Sequence, residues 1–221
     1  LTAEARRLGE MTIFTAKDAA DAMSFFALAG YKVDQILAAI GPTLDMAAAG
    51  QIGIAESADI AAKIMAGMGI EADHLGEAVD VLTKAMTTAN TDLRQLGDAM
   101  KYVGPIAKSA GIGFEEIVGT VQMLSNAGIQ ADMAGTTLRG ALLSLTDPSK
   151  EAADQLRAMG VSVMDSQGNV RSLADIIDDM NRSLEGLGTG QRLGIIGRIF
   201  DARQAAGFAE LLSQGGDKLR E

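Results

Sequence analysis

One short pattern opens at Gly30, Gly69 and Gly111. It runs glycine, apolar, two variable residues, acid, one variable residue, apolar, three variable residues, apolar. The copies read GYKVDQILAAI, GIEADHLGEAV and GIGFEEIVGTV, and a weaker fourth, GIQADMAGTTL, begins at Gly128. A glycine after a helical stretch suits the left-handed conformation that closes a helix, and the apolar residue behind it (Tyr31, Ile70, Ile112, Ile129) can make the contact that accompanies such a cap. The acid four residues on (Asp34, Asp73, Glu115, Asp132) falls where the next helix begins and its dipole favours negative charge. Ile36 and Ile40, Leu75 and Val79, and Ile117 and Val121 then share a helix face. The spacings between the first three glycines, 39 and 42 residues, are the length of a helical pair. The unit is a helix–turn–helix corner, repeated.

Composition agrees with a helical chain. Of 221 residues 48% are hydrophobic but only 4% aromatic, with no Trp, so the core is built from Ala, Leu, Ile, Val and 12 Met. Elsewhere, Thr15 is expected to cap a helix over 16–29, Ser57 to cap ADIAAKIMAGM, and Thr91 to cap DLRQLGDAMKYV, with Pro105 marking a break or kink. Asp147–Pro148 is the clearest boundary: one helix ends near Leu145, Asp147 caps the next, and that helix runs to Gly160. Val161 and Val163 alternate, Ser166-Gln167-Gly168-Asn169 supplies turn residues, and Val170 resumes, which predicts a short β-hairpin near residues 161–171. Ser172 and Asp175 start a further helix. Gly186, Gly188 and Gly190 form a connector before QRLGIIGRIF and QAAGFAELL. The fold expected is all-α, with repeated corners over 1–146 and a helix, hairpin and C-terminal helices over 147–221 packed on them. One continuous domain is the other reading.

Charge and residue types exclude several functions. The net charge is −10. Residues 1–146 carry 10 Lys+Arg against 17 Asp+Glu and residues 147–221 carry 9 against 12, with no basic run, so no nucleic-acid partner is expected. With no cysteine, disulfides, thiol catalysis and thiolate-bound zinc are absent. The stretch 36–55 is apolar apart from Asp45, but Pro42 and its small residues make it a poor membrane span and a better buried helix. The start at Leu1 and the abrupt Arg220-Glu221 end suggest an excised fragment.

No catalytic set assembles. His74, the one histidine, reads as a solvated helix residue. Glu115–Glu116 and Asp178–Asp179 invite a two-carboxylate hydrolase, but neighbours on a helix diverge by about 100°, so each pair reads as a solvated face. DSQGN at 165–169 lacks the ligand ladder of a calcium loop and reads as a turn. GTGQRLG at 188–194 lacks the Lys-Ser/Thr of a phosphate loop. No metal, cofactor or catalytic residue is expected.

The run MAGTTLRG, 133–140, places two glycines inside a helix, at roughly 1 kcal/mol each relative to alanine. Ala134, Leu138, Ala141, Leu142 and Leu145 share its apolar face, with Gly135 and Thr136 beside it and Gly140 near its edge. Small residues there let a neighbouring backbone come close. Thr136 or Thr137 can bond back to a carbonyl in the preceding turn, and Arg139 is placed to bind a helix C-terminus or a carboxylate from another repeat. The stretch reads as a joint.

The segment from Asn126 to Val170 resembles the core region of phage tail tape measure proteins. The matching positions are Gly128, Ala134, Gly135, Thr136, Leu138, Arg139, Pro148, Gly160, Val161, Val163, Asp165 and Gly168. LGDAMKYVGPIAKSAGI (96–112) and IGRIFDARQAAGFAELL (196–212) resemble that family too, although Phe200-Asp201 stands where members often have Phe-Gly. The resemblance covers most of residues 56–212. It implies a non-enzymatic structural segment of a long helical chain that sits in the tail tube and sets tail length during assembly. The implied partners are the tail tube protein, tail assembly chaperones and tail-tip proteins, with self-association also open. The implied location is the tail lumen of the virion, and the host cytoplasm during assembly. An envelope-active module used during DNA ejection, either a peptidoglycan hydrolase or a membrane-inserting segment, is the alternative; no membrane contact is expected of this segment itself.

Overall fold

The computed structural model describes residues 1–220, the side chain of Ala131 excepted; Glu221 lies outside them. In chain order the helices are α1 (Thr2–Met11), α2 (Ala16–Leu28), α3 (Val33–Gly50), α4 (Ile54–Met68), α5 (Leu75–Thr88), α6 (Leu93–Ala110), α7 (Phe114–Asn126), α8 (Ala131–Thr146), α9 (Lys150–Ala158), α10 (Leu173–Leu184), α11 (Thr189–Ile199), α12 (Ala202–Gln214) and α13 (Gly216–Arg220). A single 3₁₀ turn, Ala72–His74, leads into α5. The all-α expectation holds.

The repeated glycines are corners. Gly30, Gly69, Gly111 and Gly128 have φ of 90°, 71°, 73° and 84°. At each, the N–H of the following apolar residue reaches back to the last turn of the finished helix: Tyr31 to the Phe26 carbonyl, Ile70 to Met65 and Ile112 to Ala107 at 3.0 Å, and Ile129 to Leu124 at 2.9 Å. This is the bond pattern of a Schellman cap. Ile112 is buried, and the other three pack against the core from half-buried positions. Asp34, Glu115 and Asp132 fall in the first turns of α3, α7 and α8, and Asp73 in the 3₁₀ turn before α5.

The corners stack into two layers. In the front layer α2 packs on α4, α4 on α6, α6 on α8 and α8 on α12; in the back layer α3 packs on α5, α5 on α7 and α7 on α13. Neither α2 and α6 nor α3 and α7 pack on one another to any comparable extent. A two-layer array in which each unit touches its neighbours is a solenoid. Small residues draw its front layer together. A Cβ on Gly104 would sit 3.4 Å from the Gly67 carbonyl carbon, and one on Gly97 would sit 3.1 Å from Ile60 Cγ1. One core cluster runs from Ala5 to Leu212, with Ile36, Ile40, Leu75, Val79, Ile117 and Val121 all buried in it.

The β-hairpin expected near 161–171 does not form. Among the described residues there is no strand, and one isolated antiparallel bridge pairs Met164 with Val170. The reason is local. Gly160, at φ 69°, closes the preceding helix, and Ser172 already caps α10, so the arms are too short to lengthen the ladder. The Ser162 carbonyl accepts from the Arg171 guanidinium at 2.7 Å.

Two caps sit one or two residues from their expected places, and a third does not form. Thr15 caps α2 in a full capping box with Asp18, as expected. Asp92, not Thr91, caps α6, accepting from Gln95 N–H at 2.9 Å. Ser149, not Asp147, caps α9, accepting from Ala152 N–H at 3.2 Å. Ser57 caps nothing: α4 already begins at Ile54, and the Ser57 hydroxyl lies buried, donating to the Thr43 carbonyl at 2.7 Å. Pro105 lies inside α6 and Pro42 inside α3, and neither ends its helix.

Candidate functional site

The residues singled out in the sequence meet around α8. Ala134, Leu138, Ala141, Leu142 and Leu145 are buried, all at 2% exposure or less. Gly135 lies directly on α6: a Cβ there would be 2.6 Å from the Ala99 carbonyl oxygen and 2.7 Å from its Cα. Backbone therefore meets backbone, and no side chain fits between. On the other flank Gly140 carries the Gln204 side chain of α12, whose Cγ would lie 2.6 Å from an added Cβ, while Gly207 of α12 receives the Thr137 methyl at 2.5 Å from its own Cβ position. Thr136 bonds back to the Asp132 and Met133 carbonyls at 2.9 and 3.1 Å. Arg139 departs from expectation. It is exposed, with no hydrogen bond or ion pair among the described residues.

The remaining positions form the turns before and after α8. Gly128 closes α7 ahead of it, and Pro148 occupies the link between α8 and the Ser149 cap. At Gly160 the Val161 N–H reaches the Leu156 carbonyl at 3.0 Å. Asp165 organises the next turn. One carboxylate oxygen accepts from the N–H groups of Gln167 and Asn169, both at 2.8 Å, and the other from the Asn169 side chain at 3.2 Å. The bond from the Asn169 N–H comes first among the effects that hold this carboxyl below its usual range. Gly168, at φ 86°, completes the turn with its N–H 3.2 Å from the Asp165 carbonyl. The carboxylate that resembles a calcium ligand is thus filled by its own loop.

The acidic pairs are not simply solvated faces. Glu115 is exposed, but Glu116 is half-buried and accepts from Ala174 N–H at 3.3 Å, at the start of α10. Burial pushes the Glu116 carboxyl above the usual carboxylate range, opposed by the N–H groups of Ala174 and Leu173. Asp178 accepts from Gly216 N–H at 2.9 Å and from Arg220 at 2.7 Å, while Arg220 also reaches Asp175 at 2.6 Å. That last bond is the main reason Asp175 is held below its usual range. Asp179 pairs with Arg171 at 2.6 Å and Arg182 at 2.7 Å. These carboxylates fasten helices together. No sequence signal joins Asp178 to Gly216, 38 residues away, because the bond depends on how α10 and α13 are brought side by side.

Nothing else gathers into a reacting centre. His74 is exposed, with Nδ1 3.4 Å from Glu77. Among the described residues no group of His, Asp and Glu could hold a metal, and no helix is long and apolar enough to cross a membrane; residues 36–50 lie in α3. A groove of about 690 Å³ runs between α5 and α7 beneath α13 and includes Glu116 in its wall.

What the geometry offers is a set of packing joints, and related chains carry the same extent of sequence. A family model described as phage-related minor tail protein matches residues 2–201. The tape measure protein of Pneumococcus phage Dp-1 is 34% identical over 96% of this chain and 18% of its own length. The probable tape measure protein of Escherichia phage P2 is 35% identical over 96% of this chain and 26% of its own length. The chain therefore spans about a fifth to a quarter of those relatives. No solved structure matches it. A family match over nearly the whole chain, and two tape measure relatives aligned along almost all of it, show that this chain belongs to the family of phage tail tape measure, or minor tail, proteins.

Proposed function

We propose that the chain is a structural segment of a tape measure protein that acts in tail-length determination and tail assembly inside the tail tube. The observation that carries this reading is the use made of the family-like residues. Gly135 is spent on the α6–α8 contact, Thr136 bonds back within its own helix, Leu138 is buried in the core, and Asp165 and Gly168 are spent on a turn. The two relatives, aligned along 96% of the chain, are named as tape measure proteins. Of the carboxylates weighed for a hydrolase, Glu116, Asp178 and Asp179 are committed to helix ends and arginines.

Partners follow from the same reading: the tail tube protein around the segment, tail assembly chaperones in the host cytoplasm, and tail-tip proteins at its end. A net charge of −10 opposes contact with the DNA backbone. The test is protease protection in purified tails of the phage or prophage that encodes the chain. Peptides from this segment are expected in intact tails, shielded from added protease until the tubes are disrupted. Their absence from tails, or free digestion in intact ones, overturns the reading.

A further inference from the structure

We propose that the array opens from its N-terminal end, with α1–α3 detaching as a unit while α4–α13 remains folded. Three independent observations point this way.

The first is connectivity. α1 packs chiefly on α2, and α2 and α3 reach the rest of the chain mainly through α4, α5 and the 3₁₀ turn before α5, with Gly50 of α3 touching Leu93. In a serial array the loss of a terminal unit removes one interface and leaves the others standing.

The second is the distribution of polar ties. Among the described residues, two side-chain hydrogen bonds link residues 1–53 to the remainder: Tyr31 to the Ala62 carbonyl at 3.4 Å, and Ser57 to the Thr43 carbonyl at 2.7 Å. Later elements are cross-linked more heavily. Arg94 grips Glu56 through two bonds, Glu116 caps α10, Gln214 reaches the Met123 carbonyl, and Arg220 ties α13 to α10.

The third is burial. Six of the ten large apolar side chains left in water lie in the first 37 residues: Leu1, Met11, Ile13, Leu28, Val33 and Leu37. Leu28 is 89% exposed and Ile13 83%. Less apolar surface leaves water at this end, so less free energy opposes its opening. The backbone-close crossings between α4, α6 and α8 lie beyond it.

Hydrogen exchange of the intact chain, followed by mass spectrometry through low concentrations of denaturant, tests this. In the wild type, α1–α3 amides are expected to exchange faster than those of α6–α8, with a shallower dependence on denaturant. Phe26, fully buried with its ring edge-on to Phe25 and Tyr31, supplies the variant. Phe26→Ala should accelerate exchange in α1–α3 by about a hundred-fold and let α1–α3 open at a denaturant concentration where the α6–α8 and α10 amides remain protected. Leu142→Ala, in α8, should leave α1–α3 rates unchanged. One shared rate and denaturant dependence along the wild-type chain overturns the proposal. So does Leu142→Ala speeding α1–α3 by the same factor as α6–α8, or Phe26→Ala abolishing folding of the whole chain.

Discussion

The backbone carbonyl of Ala99 lies 2.6 Å from where a Cβ on Gly135 would stand, so α6 and α8 touch without an intervening side chain. Alanine at 135 gains about 1 kcal/mol of helix propensity. It also forces two backbones apart, and overpacking of this kind costs about 1–3 kcal/mol. Because the obstacle is main chain rather than a flexible side-chain end, the second effect should win. Gly135→Ala is expected to lower the melting temperature and Gly135→Leu to lower it further. Gly197 of α11 is exposed with open space around it, so Gly197→Ala should raise the melting temperature by the propensity gain alone. An unchanged melting temperature for both Gly135 variants would falsify the account of this joint.

Glu116 separates burial from bonding. Its folded carboxyl titrates above the unfolded value, so the folded state binds the proton more tightly. The stability this contributes is present in full below the unfolded value and is lost as pH rises through the folded one. Glu116→Gln keeps an oxygen for Ala174 N–H and carries no charge to desolvate. Melting temperatures across pH should show the variant at least as stable as wild type at neutral pH, with its relative advantage shrinking in acid. Glu116→Ala leaves the start of α10 without this acceptor and should lose about 1 kcal/mol.

The α13 clamp should depend more on shape than on charge. A Cβ on Gly216 would crowd the Ala174 carbonyl oxygen and lie 2.6 Å from Asp178 Oδ1. Gly216→Ala therefore displaces α13 from α10. Arg220 is half-exposed, and its ion pairs are screened, so Arg220→Ala should cost little and matter less at high salt. Limited proteolysis of the C-terminal turn provides the measure. Faster cutting in Arg220→Ala than in Gly216→Ala would contradict this ordering.

The buried bond from Ser57 to the Thr43 carbonyl joins α4 to α3. Ser57→Ala removes the donor from a fully buried site, at a cost of about 1 kcal/mol. Equilibrium denaturant unfolding should register that loss. Equal stability of variant and wild type would show that the bond contributes nothing net.

The corners were legible because their determinants are contiguous. Gly30, its φ of 90° and the Tyr31–Phe26 bond occupy six residues of chain, and the same holds at Gly69 and Gly111. The caps were less legible because candidates cluster: Thr91 stands beside Asp92, and Asp147 is two residues from Ser149. Which one caps depends on where the helix can start packing. The joint at Gly135 was visible as a propensity penalty without a local reason, although its partner Ala99 was not. The clamp of Asp178 by Gly216 and Arg220 was invisible, since both partners lie about forty residues from it. The hairpin failed because alternation at Val161 and Val163 reports local preference, while the length of the arms is set by the helix stop at Gly160 and the cap at Ser172.

The serial stacking has a metric consequence. Each corner unit of 39 or 42 residues advances the array by one helix spacing, about 8–10 Å. Drawn out at about 3.3–3.6 Å per residue, the same unit spans roughly 130–150 Å. The contour length held in one folded unit thus exceeds its stacked thickness more than ten-fold. Whatever distance this segment spans is set far more by how many of its corners are closed than by how many residues it contains.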